Sequence, residues 1–148
     1  MEKSQREELV EEGVEDNLNM VEITQTVKEK QPIKQWLFLF LKDRILGKKY
    51  NLSVAFVGDT TSRKTNKATR GKDYPTDILS FPLDELSGEI LICPNMTRKK
   101  NKEFDMSYPQ FLIFIFIHGC LHLKGLDHGD EMEKLEDKYF ALALKQKK

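Results

Sequence analysis

His118, His122 and His128 are the three histidines of this 148-residue chain, and all fall within one stretch of eleven residues, HGCLHLKGLDH. Neutral imidazole is a common ligand for transition metals. Residues four apart on a helix project from one face about one turn apart. His118 and His122 can therefore converge on one ion. Gly125 then ends the helix, because glycine accepts the left-handed conformation that turns the chain. The turn lets His128 return toward the same point. No fourth protein ligand is evident, and open sites with three protein ligands are typical of catalytic rather than structural zinc. Such an ion acidifies water and polarises a carbonyl or phosphoryl oxygen. Nickel, copper and iron also accept three imidazoles. The plain alternative is a chance cluster in a surface turn, which a helix-stopping glycine at this spacing argues against. Cys120 lies two residues from His118, on the opposite side of the helix, and is not a ligand.

The spacing matches the metzincin protease pattern H-E-x-x-H-x-x-G-x-x-H, Gly125 included. The position of the general-base glutamate is Gly119 here. A zinc protease needs that carboxylate to take the proton of the attacking water. The cage is protease-like and the peptide-hydrolysis chemistry is incomplete.

Arg70 follows a basic stretch containing Arg63, Lys64 and Lys67, with Lys72 just beyond. A guanidinium fork suits bidentate contact with phosphate. The competing reading is a surface arginine paired to Asp73. Arg98, Lys99, Lys100 and Lys102 make a second basic cluster, either a solvated helix face or a strip tracking phosphates. Asp127 is placed to hydrogen-bond a ligand imidazole or to form the turn. Tyr74, Pro75, Thr76 and Asp77 are expected to shape a loop wall of the cleft, and Ser80 to offer a hydroxyl.

The elements that must hold these residues read as alternating strands and helices. MVEITQTV (20–27) alternates at period two, as a half-buried strand does. Pro32 and Gly47 bracket a helix over 33–46. LSVAFVG (52–58) is a strand. Asp59 can cap an exposed, weak helix in TTSRKTNKATRG. DILSFPL (77–83) is a strand that is at a sheet edge or stops at Pro82, since Pro82 cannot donate to a ladder. GEILIC (88–93) is a strand, and 95–104 a basic helix capped by Asn95. Ser107 and Gln110 form a capping-box pattern that opens a helix over 108–124. FLIFIFI is rich in strand formers, but a buried helix can be apolar all round. Met132, Leu135, Tyr139 and Leu142 form the stripe of a last helix over 130–145.

The chain has the length of one ordinary domain. With 24 basic and 24 acidic residues its formal net charge is zero, so nucleic acid must be bound through a local patch. Residues 1–19 carry seven acids and two bases and read as a mobile acidic extension, with 20–148 as one catalytic domain. Cys93 and Cys120 share no Cys-x-x-Cys spacing and read as buried thiols in a reducing compartment. No signal peptide is visible, and the apolar runs 36–41 and 111–117 are too short to span a bilayer. A cytoplasmic protein with no membrane contact and no DNA partner is expected.

HGCLHLKGLDH, together with RGKDYPTDILSFPL (70–83) and GEILIC, resembles the YbeY family of bacterial rRNA maturation endoribonucleases over about residues 20–145. The resemblance implies an α+β, zincin-like fold: a mixed four-stranded sheet packed with helices, the metal-ligand helix buried centrally. It implies one zinc held by His118, His122 and His128, and makes Arg70 the family's functionally important arginine. It also implies processing of small-subunit ribosomal RNA, ribosome quality control and contact with small-subunit ribosomal proteins. Thr69, Lys124 and Glu89 depart from the usual pattern, and the acidic linker after His128 is short. A metal-dependent, single-strand-specific endoribonuclease is the leading expectation. A non-catalytic ribosome-assembly factor with structural zinc is the second, and another metal-dependent hydrolase the third.

Overall fold

The computed structural model describes residues 21–147. The acidic segment 1–19 therefore lies outside the described residues. In chain order the elements are β1 (Val21–Gln25), α1 (Gln35–Leu46), β2 (Asn51–Phe56), α2 (Asp59–Arg70), β3 (Ile78–Asp84), β4 (Ser87–Ile92), α3 (Pro94–Asn101), α4 (Tyr108–Lys124) and α5 (Asp130–Leu144). They form an α+β fold around one mixed four-stranded sheet of order β1-β2-β4-β3.

β1, β2 and β4 run parallel and β3 is antiparallel to β4. The alternation in β2 and β4 sends Leu52, Val54, Phe56, Ile90 and Ile92 into the core. Register pairs Val54 with Ile90 and Phe56 with Ile92, so their side chains share one face. β3 is the edge that Pro82 demands. Pro82 pairs with Gly88, and the register slips between Pro82 and Asp84.

α4 is the apolar spine of the molecule. Its ends are set by local chemistry: Ser107 Oγ accepts from the Gln110 N–H, Gln110 Oε1 accepts from the Ser107 N–H, and Gly125 closes the other end at φ 107°. Between them Leu112, Phe116, Ile117, Cys120 and Leu121 are fully buried. The helix packs against α1, α3, α5 and β3, so apolar neighbours on all sides outweigh the strand propensity of FLIFIFI. Phe116 meets Phe38 of α1 edge-on, ring centroids 4.6 Å apart.

Four local expectations are corrected. Pro32 lies outside α1, whose N-cap is Lys34. Residues before proline are pushed to extended backbone, and Pro32 closes the preceding loop rather than opening the helix. Asn95 lies inside α3, because Pro94 takes the first helical position with Cys93 as N-cap. α2 is not simply exposed: Ser62 and Asn66 are buried. Ser62 exchanges hydrogen bonds with the backbone of Thr76, and Asn66 Nδ2 donates to Tyr74 O at 2.9 Å. α2 docks through polar groups, which hydrophobic periodicity does not register. Asp59 is its first residue, with Gly58 as N-cap, and the Asp59 carboxylate accepts from Cys93 and Asn95.

Candidate metal centre and cleft

The last turn of α4 and the Gly125 turn build the centre. On α4, His118 and His122 stand one turn apart with their Nε2 atoms 3.1 Å from each other. The Gly125 N–H bonds back to His122 O and the Leu126 N–H to Leu121 O, which folds the chain so that His128 returns. The His128 ring lies 5.1 Å from that of His118 and 4.9 Å from that of His122. One nitrogen from each ring falls within a 4.8 Å set.

Both helical histidines have their other nitrogen committed. His122 Nδ1–H donates to Leu126 O at 3.0 Å, and His118 Nδ1–H donates to the Glu136 carboxylate. These bonds fix the tautomer that leaves the Nε2 lone pairs facing each other. Two lone pairs so close repel unless a positive charge lies between them. The donor set therefore fits a transition-metal ion held by His118, His122 and His128. Burial, reinforced by the neighbouring His118, holds the His122 imidazolium pKa below its ordinary value. That keeps His122 neutral, as a ligand must be.

Glu136 is the residue the sequence reading missed. It sits on α5 and is 7% exposed. Its signal was an acid on the buried stripe, one turn after Met132 and seven residues before Ala143. Asp127, the expected hydrogen-bond partner, is exposed and makes no hydrogen bond to a histidine among the described residues. It acts on His122 through its charge alone.

Gly119 gains a physical reason. A Cβ built there would lie 2.9 Å from Ile78 Cδ1 and 3.1 Å from both Ile90 Cδ1 and Ser80 Oγ. Position 119 faces Ile78 and Ser80 of β3 and Ile90 of β4, so the glycine lets α4 approach both strands. Ser80 Oγ donates to Gly119 O at 3.4 Å, a long bond across the same contact.

The tripod opens into a cavity of about 580 Å³ whose walls include Thr69, Arg70, Thr76, Asp77, Ser80 and Lys100. Arg70 is the last residue of α2. Asp73 pairs with Arg63 at 2.7 Å and Lys67 at 3.9 Å instead. Among the described residues Arg70 makes no ion pair, so its guanidinium is open to an anion in the cleft. The basic candidates divide. Lys100 reaches the cleft, its Nζ 3.4 Å from Asp77. Arg98 is engaged by Glu29 and lies over the Tyr108 ring at 4.3 Å, which ties α3 to α4 and to the loop after β1. Arg63, Lys64, Lys67, Lys72 and Lys99 are exposed and lie outside the cleft walls. Lys124, one departure from the family pattern, donates to Ile45 O at 3.1 Å and clasps the end of α1.

Comparison with known proteins bears on the family and the fold. The solution structure of a protein from Thermotoga maritima matches with a TM-score of 0.59 at 30% identity, covering 84% of this chain and 89% of that one. The chain is 39% identical over 90 residues to Endoribonuclease YbeY of Thermotoga neapolitana, 60% of each protein. It is 37% identical over 102 residues to the protein of that name from Bdellovibrio bacteriovorus, 64% of this chain and 68% of the relative. Against the first of these curated relatives, the chain spans about three fifths of the relative's length. A family model described as Endoribonuclease YbeY matches residues 14–142, from before β1 into α5 and across the whole tripod and Arg70. The chain belongs to the YbeY family.

Proposed function

We propose that this protein is a metal-dependent endoribonuclease that cleaves single-stranded RNA during maturation of small-subunit ribosomal RNA. The observation that carries the reading is the shared cavity: Arg70, free of the Asp73 pair, faces the same space as three convergent imidazoles. Zinc in that tripod, the ion the open three-histidine set suits, would supply Lewis-acid polarisation of a phosphoryl oxygen.

The remaining roles belong to the chain. Arg70 holds the scissile phosphate through its fork and stabilises the charge that builds on its oxygens. Lys100 adds a second cation at the cleft wall. Glu136 and Leu126 O hold the two α4 imidazoles in one tautomer and orientation. Position 119 is glycine, so the chain lacks the proteolytic base there, which argues against peptide hydrolysis. The nucleophile is either water or the 2′-hydroxyl of the RNA itself, and the product end distinguishes them. A 2′,3′-cyclic phosphate identifies the internal hydroxyl.

The domain limits 20–148, a cytoplasmic location, and ribosomal RNA and small-subunit proteins as partners belong to this reading. Among the described residues no helix is long and apolar enough to cross a membrane. The test is cleavage of a defined single-stranded RNA by purified protein of measured metal content. Arg70→Ala and His122→Ala are each expected to lose at least about a hundredfold in rate, the scale of removing one electrostatic stabiliser. Full cleavage by metal-free His118→Ala would overturn the reading.

A further inference from the structure

A second cavity, of about 530 Å³, shares His118, His128, Asp77, Ile78 and Lys100 with the cleft but does not reach Arg70. Its character is different. Phe104, Phe111, Phe114 and Ile115 supply an apolar wall, and Glu133, Glu136 and Asp137 line the remainder. A phosphate would meet four carboxylates there, Asp77 of the shared wall included, against the one cation Lys100, and be repelled. A neutral ring with π faces and N–H donors at its edge finds aromatic faces to stack on and carboxylates to receive its hydrogen bonds.

We propose that this cavity seats one unpaired nucleobase of the RNA strand whose phosphate lies at Arg70, stacked on Phe104. The proposal rests on the ribonuclease reading above and deepens it. Phe104 is 50% exposed, which leaves part of its ring available to a partner. It is not a loose side chain on a loose loop. The Phe104 N–H donates to Asn101 O at 3.2 Å, the Met106 N–H to the same oxygen at 3.1 Å, and Asn101 Nδ2 to Met106 O at 2.8 Å. Asp105 takes a left-handed φ of 56° to close this turn. Behind the ring, Phe111 packs at 5.0 Å between centroids and Phe114 at 6.4 Å. The result is a rigidly presented aromatic surface at the mouth of a cavity that ends on two candidate metal ligands. Lys100 lies in both cavities, at the place where a backbone joining base to phosphate would cross. An unpaired strand can turn a base out into such a pocket, whereas a base held in a duplex cannot reach it without being unstacked. The cavity thereby gives a physical source for a preference for single strands.

The test uses the full chain and short single-stranded RNAs carrying 2-aminopurine at each position in turn, whose fluorescence falls on stacking. Wild type is expected to quench one position strongly. Phe104→Leu, which keeps apolar bulk behind the turn but loses the π face, is expected to abolish that quench. It also weakens binding roughly 5- to 100-fold, the worth of one stacked base. Phe104→Tyr retains both. Removing the base at that position weakens wild-type binding equally and Phe104→Leu no further. Thermal melts of the variants report any loss of folding separately. Wild-type quenching and affinity in Phe104→Leu, with binding lost in Arg70→Ala, would overturn this proposal alone and give the cavity to another occupant. Absence of RNA binding by wild type overturns it together with the ribonuclease reading.

Discussion

Glu136 and Cys93 show how a side chain's surroundings decide its chemistry. Glu136 receives the Nδ1 proton of His118 and leaves Nε2 for an ion. Partners of this kind raise ligand basicity, and their loss costs about 10- to 100-fold in metal affinity. Glu136→Gln, which keeps an acceptor but loses the charge, is expected to weaken zinc binding toward that range in competition with a chromophoric chelator. The melting temperature of the metal-free protein is expected to change little. Unaltered zinc affinity would reduce Glu136 to a packing role. Cys93 shows burial acting in the other direction. Desolvation, with the Asp59 carboxylate 3.2 Å away adding to it, pushes its thiol up to about 11. At pH 8 roughly one molecule in a thousand then carries the reactive thiolate. Iodoacetamide is expected to label the native protein slowly and the denatured chain fast. The folded value lies above the ordinary 9.0, so the unfolded chain releases its proton first. That stability contribution is intact below pH 9 and is lost as pH rises toward 11. Melts over this window are expected to fall more steeply for wild type than for Cys93→Ala. At this scale the three histidines were legible because their spacing is local. Glu136 was not, because its partner is 18 residues away and only the docking of α5 on α4 joins them. Asp127, adjacent in sequence to His128, drew the assignment instead.

Among the elements, those whose ends and faces are written in local chemistry were read correctly. The Ser107–Gln110 box and Gly125 bound α4, Pro82 marked β3 as an edge, and period-two alternation found β1. α2 was misjudged because its buried residues are Ser62 and Asn66, and polar docking leaves no trace in apolar periodicity. Gly119 belongs to this scale as well. Its absence of a side chain was read as a missing base, and it is also the contact that seats the metal-bearing helix on β3 and β4. Gly119→Ala sets a helix-propensity gain of about 1 kcal/mol against the strain of crowding this interface, and the net change is expected to stay within about 1 kcal/mol. Part of that strain is relieved by rotation of Ile78 and Ile90, whose Cδ1 atoms are the nearest neighbours. Urea denaturation measures it, and a loss of several kcal/mol would mean that the side-chain tips around Gly119 cannot give way.

For the whole molecule, the question is whether the metal holds the fold or merely occupies it. Proteins organised around a structural zinc unfold when it is removed, since binding free energy is then folding free energy. Here the apolar cluster runs without interruption from Val21 through α1, the sheet and α4 to Ala143 of α5. The tripod lies at the C-terminal end of α4 and in the turn after it, with His118 and His122 part-buried and His128 exposed. None of the three histidines bridges elements that would otherwise lack contact: α4 and α5 already pack along their lengths, joined by Glu136 and by Phe114 against Phe140 at 5.8 Å. Chelation is therefore expected to lower the melting temperature while leaving a cooperative transition and an unchanged far-ultraviolet dichroism spectrum. The size of the drop follows mass action, about 2.7 kcal/mol for free metal at a hundred times its dissociation constant. It is expected to grow with metal concentration in wild type and to be absent in His122→Ala. A metal-free protein without a cooperative melt would instead favour the assembly-factor reading, in which zinc is part of the scaffold. A folded metal-free chain that loses RNA cleavage and regains it with added zinc places the ion in the reaction.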